Sequence, residues 1–363
     1  MNPLLEVKDL NVSFPTADGV VRAVRGVTFD VEPGRTLGIV GESGSGKTVL
    51  TQTLLGLTQG AEVAGSALFE GTDLLQLTDE EMRDVRGARI SVIFQDPLTS
   101  LHPLYRIGWQ ISEMIRAHEK SVSKKEAMIR SVELLRKVGI PKPETRVNDY
   151  PHQFSGGMRQ RAMIAMALAL EPKLIIADEP TTALDATVQA QILDLLLRLQ
   201  QDSGTALIMI THDLGVVADI ADDVMVMYAG RAAEKAPKRD VFYHPHHPYT
   251  KGLLESIPSS KASGIRLKPI QGQPPSLINL PSGCKFHPRC SYAFDRCKQE
   301  EPVLHPVGET GTHTSACWLP PEAAGLSAEA EELREQAARA GDSVAASAAE
   351  PGAATADNEG SVA

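Results

Sequence analysis

The octapeptide Gly41-Glu42-Ser43-Gly44-Ser45-Gly46-Lys47-Thr48 constrains the fold more than any other stretch of the 363 residues. It fits G-x-x-x-x-G-K-[ST] at every fixed position. Glycines let backbone N–H groups curl around phosphate oxygens with no Cβ in the way. The apolar run Thr36–Val40 enters the loop as a strand, and an amphipathic helix from Lys47 to about Leu57 leaves it. That helix points the positive end of its dipole at the same anion. Lys47 is placed to neutralise β- and γ-phosphates, and the Thr48 hydroxyl to ligate Mg2+. The expectation is an ATP site; the bland alternative, a chance Gly/Ser-rich turn, would need neither the entering strand nor the departing helix.

Two more apolar strands end in polar groups. Leu174-Ile175-Ile176-Ala177 runs into Asp178-Glu179. In phosphate-loop enzymes the first acid holds Mg2+, directly or through water. The second, at the strand tip, can polarise the attacking water as general base. Ile208-Met209-Ile210-Thr211 ends at His212-Asp213, which sets His212 at the C-terminal sheet edge where open α/β folds bind ligands. A lone strand-end histidine is more often structural; next to the loop and the acid pair, the functional reading is preferred.

Leu4–Val7 and Val24–Val31 read as strands around a turn at Asp18–Gly19, followed by Arg89–Gln95, Leu174–Asp178, Ala206–Thr211 and Asp223–Tyr228. Helix-period segments flank the later ones, as expected of a mostly parallel sheet covered by helices. Between Gln95 and Pro172 the strand pattern vanishes, and helical periodicity appears over Ile107–Arg116, Lys124–Val138 and Gly157–Leu170. That predicts a helical insert over about 97–170. Past Gly230 the chain turns rich in Pro, His and Gly. From about Pro320 it is Ala/Glu/Ser/Gly without aromatic residues, which predicts disorder apart from a short helix near Ala328–Arg339. The expected division is an ATPase domain over 1–240, an extension over 241–319 and a tail over 320–363.

The formal charge of −10 is misleading. From Leu319 to Ala363, nine acids and two bases give −7, leaving −3 for everything before them. With no basic excess, nucleic acid is not expected as a partner. The longest apolar run, Ala162–Leu170, has nine residues, against about 20 for a bilayer span. MNPLLEVKDL carries charges too early for a secretory signal. Four cysteines, all between Cys284 and Cys317, do not make a secreted disulfide scaffold, so a cytosolic setting is expected.

Phe154-Ser155-Gly156-Gly157-Met158-Arg159-Gln160-Arg161, just upstream of the acid-pair strand, resembles the L-S-G-G-Q signature of ABC ATPases. The motif order over roughly residues 4–235 is similar to that family as well. Phe154 and Met158 depart from its Leu and Gln, but the Ser hydroxyl and both glycines remain. The resemblance implies a P-loop ATPase fold with an N-terminal β-subdomain, a helical insert and a small Cys-containing C-terminal extension. It makes Gln95 a Q-loop glutamine sensing Mg2+ and water, Ala183-Leu184-Asp185 a D-loop, and His212 a switch histidine. Phe14 becomes a candidate to stack on adenine, with an ordinary core residue as the equal alternative. Catalysis would fall to Glu179, His212 and Gln95; Mg2+ to Thr48, Gln95 and Asp178. Ser155, Gly156 and Gly157 would close the phosphate site of a second ATPase subunit, so a dimer is implied.

Three segments resemble the dipeptide/oligopeptide importers in particular: His247-Pro248-Tyr249-Thr250-Lys251-Gly252-Leu253-Leu254, Ile270-Gln271-Gly272-Gln273-Pro274-Pro275 and Gly283-Cys284-Lys285-Phe286-His287-Pro288-Arg289-Cys290. Phe94-Gln95-Asp96-Pro97 and Leu98-Thr99-Ser100-Leu101-His102-Pro103 match too. The resemblance implies a peripheral subunit on the cytoplasmic face of the membrane. Its partners would be a second ATPase in a heterodimer, two transmembrane permeases and an extracytoplasmic substrate-binding protein. Nickel or other small solutes are alternative cargoes, and a soluble ATPase acting on ribosomes or nucleic acid is the alternative from another class. Cys284, Cys290, Cys297 and Cys317 lack the C-x2-C knuckles of zinc sites and both common ferredoxin spacings; spacing alone leaves free thiols and a metal site equally open. The resemblance tips this towards a 4Fe–4S cluster.

Other features read as structure. His244, His246 and His247 are expected in a polar surface turn. Met158, Met163 and Met166 form a helical stripe that reads as packing. Lys124-Lys125 and Lys235–Arg239 are too small for a nucleic-acid footprint.

Overall fold

The computed structural model describes residues 2–182, 184–256, 270–308 and 311–320. The tail, with its expected helix, and Ala183 of the D-loop lie outside the described residues. The chain opens with β1 (Leu5–Thr16) and β2 (Gly19–Val31), one long antiparallel hairpin where two short strands were expected. The alternation slips phase at Lys8-Asp9, where Asp9 is left-handed at φ +47° and the register shifts between Val7 and Leu10. β4 (Glu62–Phe69) pairs with β1, and β5 (Thr72–Asp73) completes a sheet ordered β2-β1-β4-β5. β4 has little strand signal because Gly65 interrupts it. That glycine lies at φ +105°, so close to the Asp9 carbonyl that a Cβ would overlap it.

The second sheet contains β3 (Thr36–Val40), β6 (Ile90–Ile93), β7 (Leu174–Asp178), β8 (Ala206–Thr211), β9 (Asp223–Tyr228) and β10 (Arg231–Pro237). Two short strands of the extension, β11 (His305–Pro306) and β12 (Thr314–Ser315), join it. The order is β11-β12-β10-β9-β3-β8-β7-β6, parallel from β9 to β6. β10 was not anticipated, because RAAEKAP holds no β-branched or aromatic residue; it is ordered by pairing with β9 and β12. The extension is therefore built onto the edge of the main sheet.

Helices α1 (Lys47–Leu54) and α2 (Asp79–Val85) precede the insert, which contains α3 (Pro97–Ser100), α4 (Ile107–His118), α5 (Lys124–Lys137), α6 (Pro143–Arg146) and α7 (Gly156–Ala167). α8 (Ala186–Ser203), α9 (Leu214–Ile220), α10 (Lys238–Tyr243), α11 (Pro248–Glu255) and α12 (Asp295–Gln299) follow. α1 stops at Leu54, short of Leu57, where Gly56 turns left-handed. The principal helices of the insert, α4, α5 and α7, match the expected segments closely; the largest difference is at α7, which ends at Ala167 rather than Leu170. Met158, Met163 and Met166 pack on its core.

Period-two alternation along the strands sorts the core. Leu174 and Ile176 of β7, and Ala206, Ile208 and Ile210 of β8, face the antiparallel sheet. Ile175, Ala177, Leu207 and Met209 face the insert helices on the opposite side. Beyond them Val224, Val226 and Tyr228 of β9 pack against Tyr249 and Phe286 of the extension. Burying each such aromatic contributes on the order of 2 kcal/mol. That burial anchors a segment with little regular structure of its own.

One expectation is overturned here. His246 and His247 are not in a surface turn: both are buried, and only His244 is exposed. Their N–H groups donate to the fully buried Glu234 carboxylate of β10 at 2.7 and 3.0 Å, and the His313 ring lies 2.6 Å from it. Glu234 lies only 12 and 13 residues back, but on β10, whose local pattern gives no strand signal, while His313 comes from 79 residues further on.

Candidate active site

Everything expected of the phosphate loop sits where β3 meets α1. Gly46 caps α1 at φ +101°, and a Cβ there would overlap the Ala23 carbonyl. Gly41 meets the Met227 carbonyl in the same way. Ser43, Gly44 and Thr48 are exposed while Ser45 is buried. The buried Lys47 ammonium donates to the carbonyls of Gly41 at 2.7 Å and Glu42 at 3.0 Å. Burial pulls Lys47 below the usual lysine range, against the carboxylates of Glu179, Asp178 and Glu42, which favour its charged form.

Opposite the loop, the Thr48 hydroxyl donates to Asp178 Oδ1 at 3.3 Å. Burial raises Asp178, the Thr48 hydrogen bond opposes that, and the neighbouring Glu179 charge adds to it. A hydroxyl and a carboxylate converging beside a phosphate loop are hard oxygen donors. They fit Mg2+, which takes one or two carboxylates with the rest supplied by phosphates and water.

Glu179 is the hub. Its Oε2 accepts from the Gln95 amide at 3.1 Å and the Thr182 hydroxyl at 2.9 Å, and its Oε1 lies 3.3 Å from His212 Nδ1. The backbone is left-handed there, at φ +46°. This backbone geometry is uncommon for a residue with a Cβ, and among the described residues Asp9, Glu70, Lys142, Glu171 and Ala229 share it, so the side-chain contacts rather than the φ mark Glu179 out. Its N–H is nonetheless tied to the Ile210 carbonyl of β8 at 2.9 Å. The His212 side chain is 61% exposed, so a ligand can reach it. Thr182 was missed; its one signal in the sequence is its place three residues after the acid.

The signature lies elsewhere. Ser155 caps α7, accepting from the Met158 N–H at 3.3 Å, and Ser155 and Gly156 are exposed. Its neighbours are Leu184 and Val188 around the start of α8, where Asp185 is the N-cap. Phe154 fills the insert core in place of the expected Leu. Phe14 lies in β1 opposite Val21, partly buried against the core.

The cysteines gather in the extension. All four are free, with Cys297 and Cys317 buried. Cys284 N–H donates to the Cys297 carbonyl at 2.8 Å. Burial first, then the charge of the other three cysteines, pushes Cys317 up to about 12; burial, then Cys284 and Cys297, pushes Cys290 up to about 11. Among the described residues, no three His, Cys, Asp or Glu side chains are close enough to hold a single metal ion. No described helix is long and apolar enough to cross a membrane.

Residues 24–182 match the ABC transporter family model, and residues 233–297 match the model for the oligopeptide/dipeptide transporter C-terminal region. The oligopeptide transport ATP-binding protein OppD of Bacillus subtilis is 54% identical over 320 residues, covering 87% of this chain and 88% of that protein. The chain belongs to the oligopeptide/dipeptide branch of the ABC transporter ATP-binding proteins. Within that family, the dipeptide transport ATP-binding protein DppD of Lactococcus lactis is 52% identical, covering 87% of this chain and 90% of that protein. The ABC ATPase fold is similar to a solved ATP-binding cassette, a dimer in a post-hydrolysis state bound to ADP and Pi, with TM-score 0.59 and 27% identity over 65% of this chain and 99% of that one. The expected ABC ATPase fold and the family are thus borne out.

Proposed function

We propose that this ABC ATPase powers the uptake of dipeptides or oligopeptides, working on the cytoplasmic face of a membrane. It would pair with a second ATPase chain on two permease subunits served by an extracytoplasmic binding protein. The observation that carries the hydrolytic part is the convergence of Gln95, Thr182 and His212 on Glu179, beside Thr48 and Asp178. The peptide cargo rests on the relatives and on the match over 233–297.

In this reading the amides of Gly41–Thr48 and the Lys47 ammonium bind the β- and γ-phosphates of ATP, and Phe14 lies against adenine. Thr48, Asp178 and Gln95 hold Mg2+, which when bound neutralises phosphate charge. Glu179 takes the proton of the attacking water, which Gln95 and His212 orient. Ser155, Gly156 and Gly157 present a helix N-terminus to the partner's γ-phosphate. The test is reconstitution in vesicles with the permeases and binding protein. Peptide-loaded binding protein should raise ATP turnover and drive peptide uptake; stimulation by nickel instead, or by ribosomes without membrane subunits, removes the peptide reading.

The four cysteines are proposed to hold a 4Fe–4S cluster. Their type fits, and such a cluster binds each thiolate to a different iron, so it does not need the tight grouping of a mononuclear site. Anaerobic purification with iron and sulfide analysis tests this. Colourless, iron-free protein rejects it.

A further inference from the structure

A carboxylate inside a loop that binds polyphosphate is an electrostatic liability, yet Glu42 is the second residue of this one. Its charge is met from the extension. Arg289 donates to both carboxylate oxygens, Nη1 to Oε2 at 2.6 Å and Nη2 to Oε1 at 2.9 Å. This two-pronged pairing fixes direction as well as charge. The Arg289 side chain is 5% exposed. Its Nε donates to the Gln271 carbonyl at 2.9 Å, and the guanidinium lies within 5.9 Å of the Tyr228 and Phe286 ring centres.

The backbone of the same loop residue is held from the extension too. Glu42 N–H donates to the hydroxyl of the fully buried Tyr249 at 2.8 Å. Its carbonyl accepts from Lys47. Glu42 is thus fixed through its N–H, its carbonyl and its carboxylate, two of these by side chains more than 200 residues away.

We propose that Arg289 is a positioning residue for ATP binding. It cancels and pins the Glu42 carboxylate, so that the loop amides and Lys47 meet the β/γ-phosphates without a competing negative charge, and the extension becomes a working part of the nucleotide site. This rests on the ATP-site reading above. Arg289 touches no substrate; it acts through Glu42.

The experiment is a double-mutant cycle on the full chain with its cognate ATPase partner, measuring ATP affinity and steady-state hydrolysis. Arg289→Met should raise the ATP KM and Kd about tenfold, because the partly buried Glu42 carboxylate is left uncompensated beside the phosphates, with kcat at saturating ATP within about twofold. In the Glu42→Gln background the same Arg289→Met change should cost little, because no uncompensated anion remains. A purely structural role would cost the same in both backgrounds. Unchanged affinity in Arg289→Met, or an equal loss in the Glu42→Gln background, overturns the proposal. Should Arg289→Met fail to fold, Arg289→Lys gives the same reading: it keeps the charge but loses one prong. A KM increase of about threefold, abolished in the Glu42→Gln background, supports the proposal, and no increase rejects it. Lys47→Ala is the separate control. A wild-type chain that binds no ATP sinks the nucleotide site itself, whereas wild-type binding lost in Lys47→Ala but retained in Arg289→Met sinks only the role of Arg289.

Discussion

His212 Nδ1 lies 3.3 Å from Glu179 Oε1, joining the tips of two strands adjacent in the sheet. The Glu179 backbone, strained into a left-handed conformation, turns the carboxylate to where Gln95 and Thr182 also reach it. If this carboxylate is the base, Glu179→Gln keeps shape and hydrogen bonding and loses only proton acceptance. ATP should still bind, while turnover falls by about two to four orders of magnitude. Single-turnover hydrolysis by the paired ATPase checks this, and normal turnover excludes Glu179 as base.

Lys47 has a different expected signature. Its ammonium is buried among the carbonyls of its own loop and opposite two acids. Lys47→Ala removes the cation that faces the terminal phosphates, leaving Asp178 and Glu179 to repel them. ATP affinity should drop at least about tenfold, read by equilibrium binding of a fluorescent ATP analogue.

The signature is expected to act on another chain. Ser155 is exposed at the start of α7, and its hydrogen-bond partner is the Met158 N–H. Ser155→Arg places a bulky cation on that docking face. The variant should bind ATP at its own loop but fail to form the ATP-dependent dimer, and hydrolysis should be lost. Sedimentation of a hydrolysis-deficient pair with ATP distinguishes this from simple loss of binding.

The extension should loosen in acid. Burial holds His247 down at about 4, against 6.5 for an ordinary histidine. Between those values the unfolded chain binds a proton that the folded chain refuses, so stability rises with pH across the window and falls as pH drops through it. The contribution is on the order of 3 kcal/mol, complete above the unfolded value. Burial lowers His246 in the same direction. Glu234 adds a further loss below the usual carboxylate range: burial would raise it, but hydrogen bonds from His313 and the His246 N–H hold it down. Thermal melts from pH 7 to pH 4 should show a falling midpoint. His247→Asn, which keeps an acceptor at the N-cap of α11, should flatten the limb above pH 5; an unchanged slope would place the effect elsewhere.

The N-terminal hairpin, the extension and the buried histidines separate what is legible locally from what is not. Strand β7 announces itself by an unbroken apolar run, and the insert helices by their 3.6-residue period. β10 and β4 carry no such signal. They are strands because neighbours already in place offer hydrogen bonds and apolar faces, a condition set by residues far away in the chain. His246 and His247 look like a polar loop for the same reason: the carboxylate that accepts from their N–H groups lies on β10, which the local pattern does not reveal.

By itself, the sequence determined the phosphate loop, the acid pair, the strand-end histidine and the family, because each is a short run whose backbone conformation and chemistry follow from its own residues. Tertiary structure alone decided that His246, His247 and His313 close on Glu234, and that Arg289 and Tyr249 hold Glu42. Contacts between groups tens to hundreds of residues apart depend on how the sheet is ordered and how the extension closes against it, and no local pattern encodes that geometry.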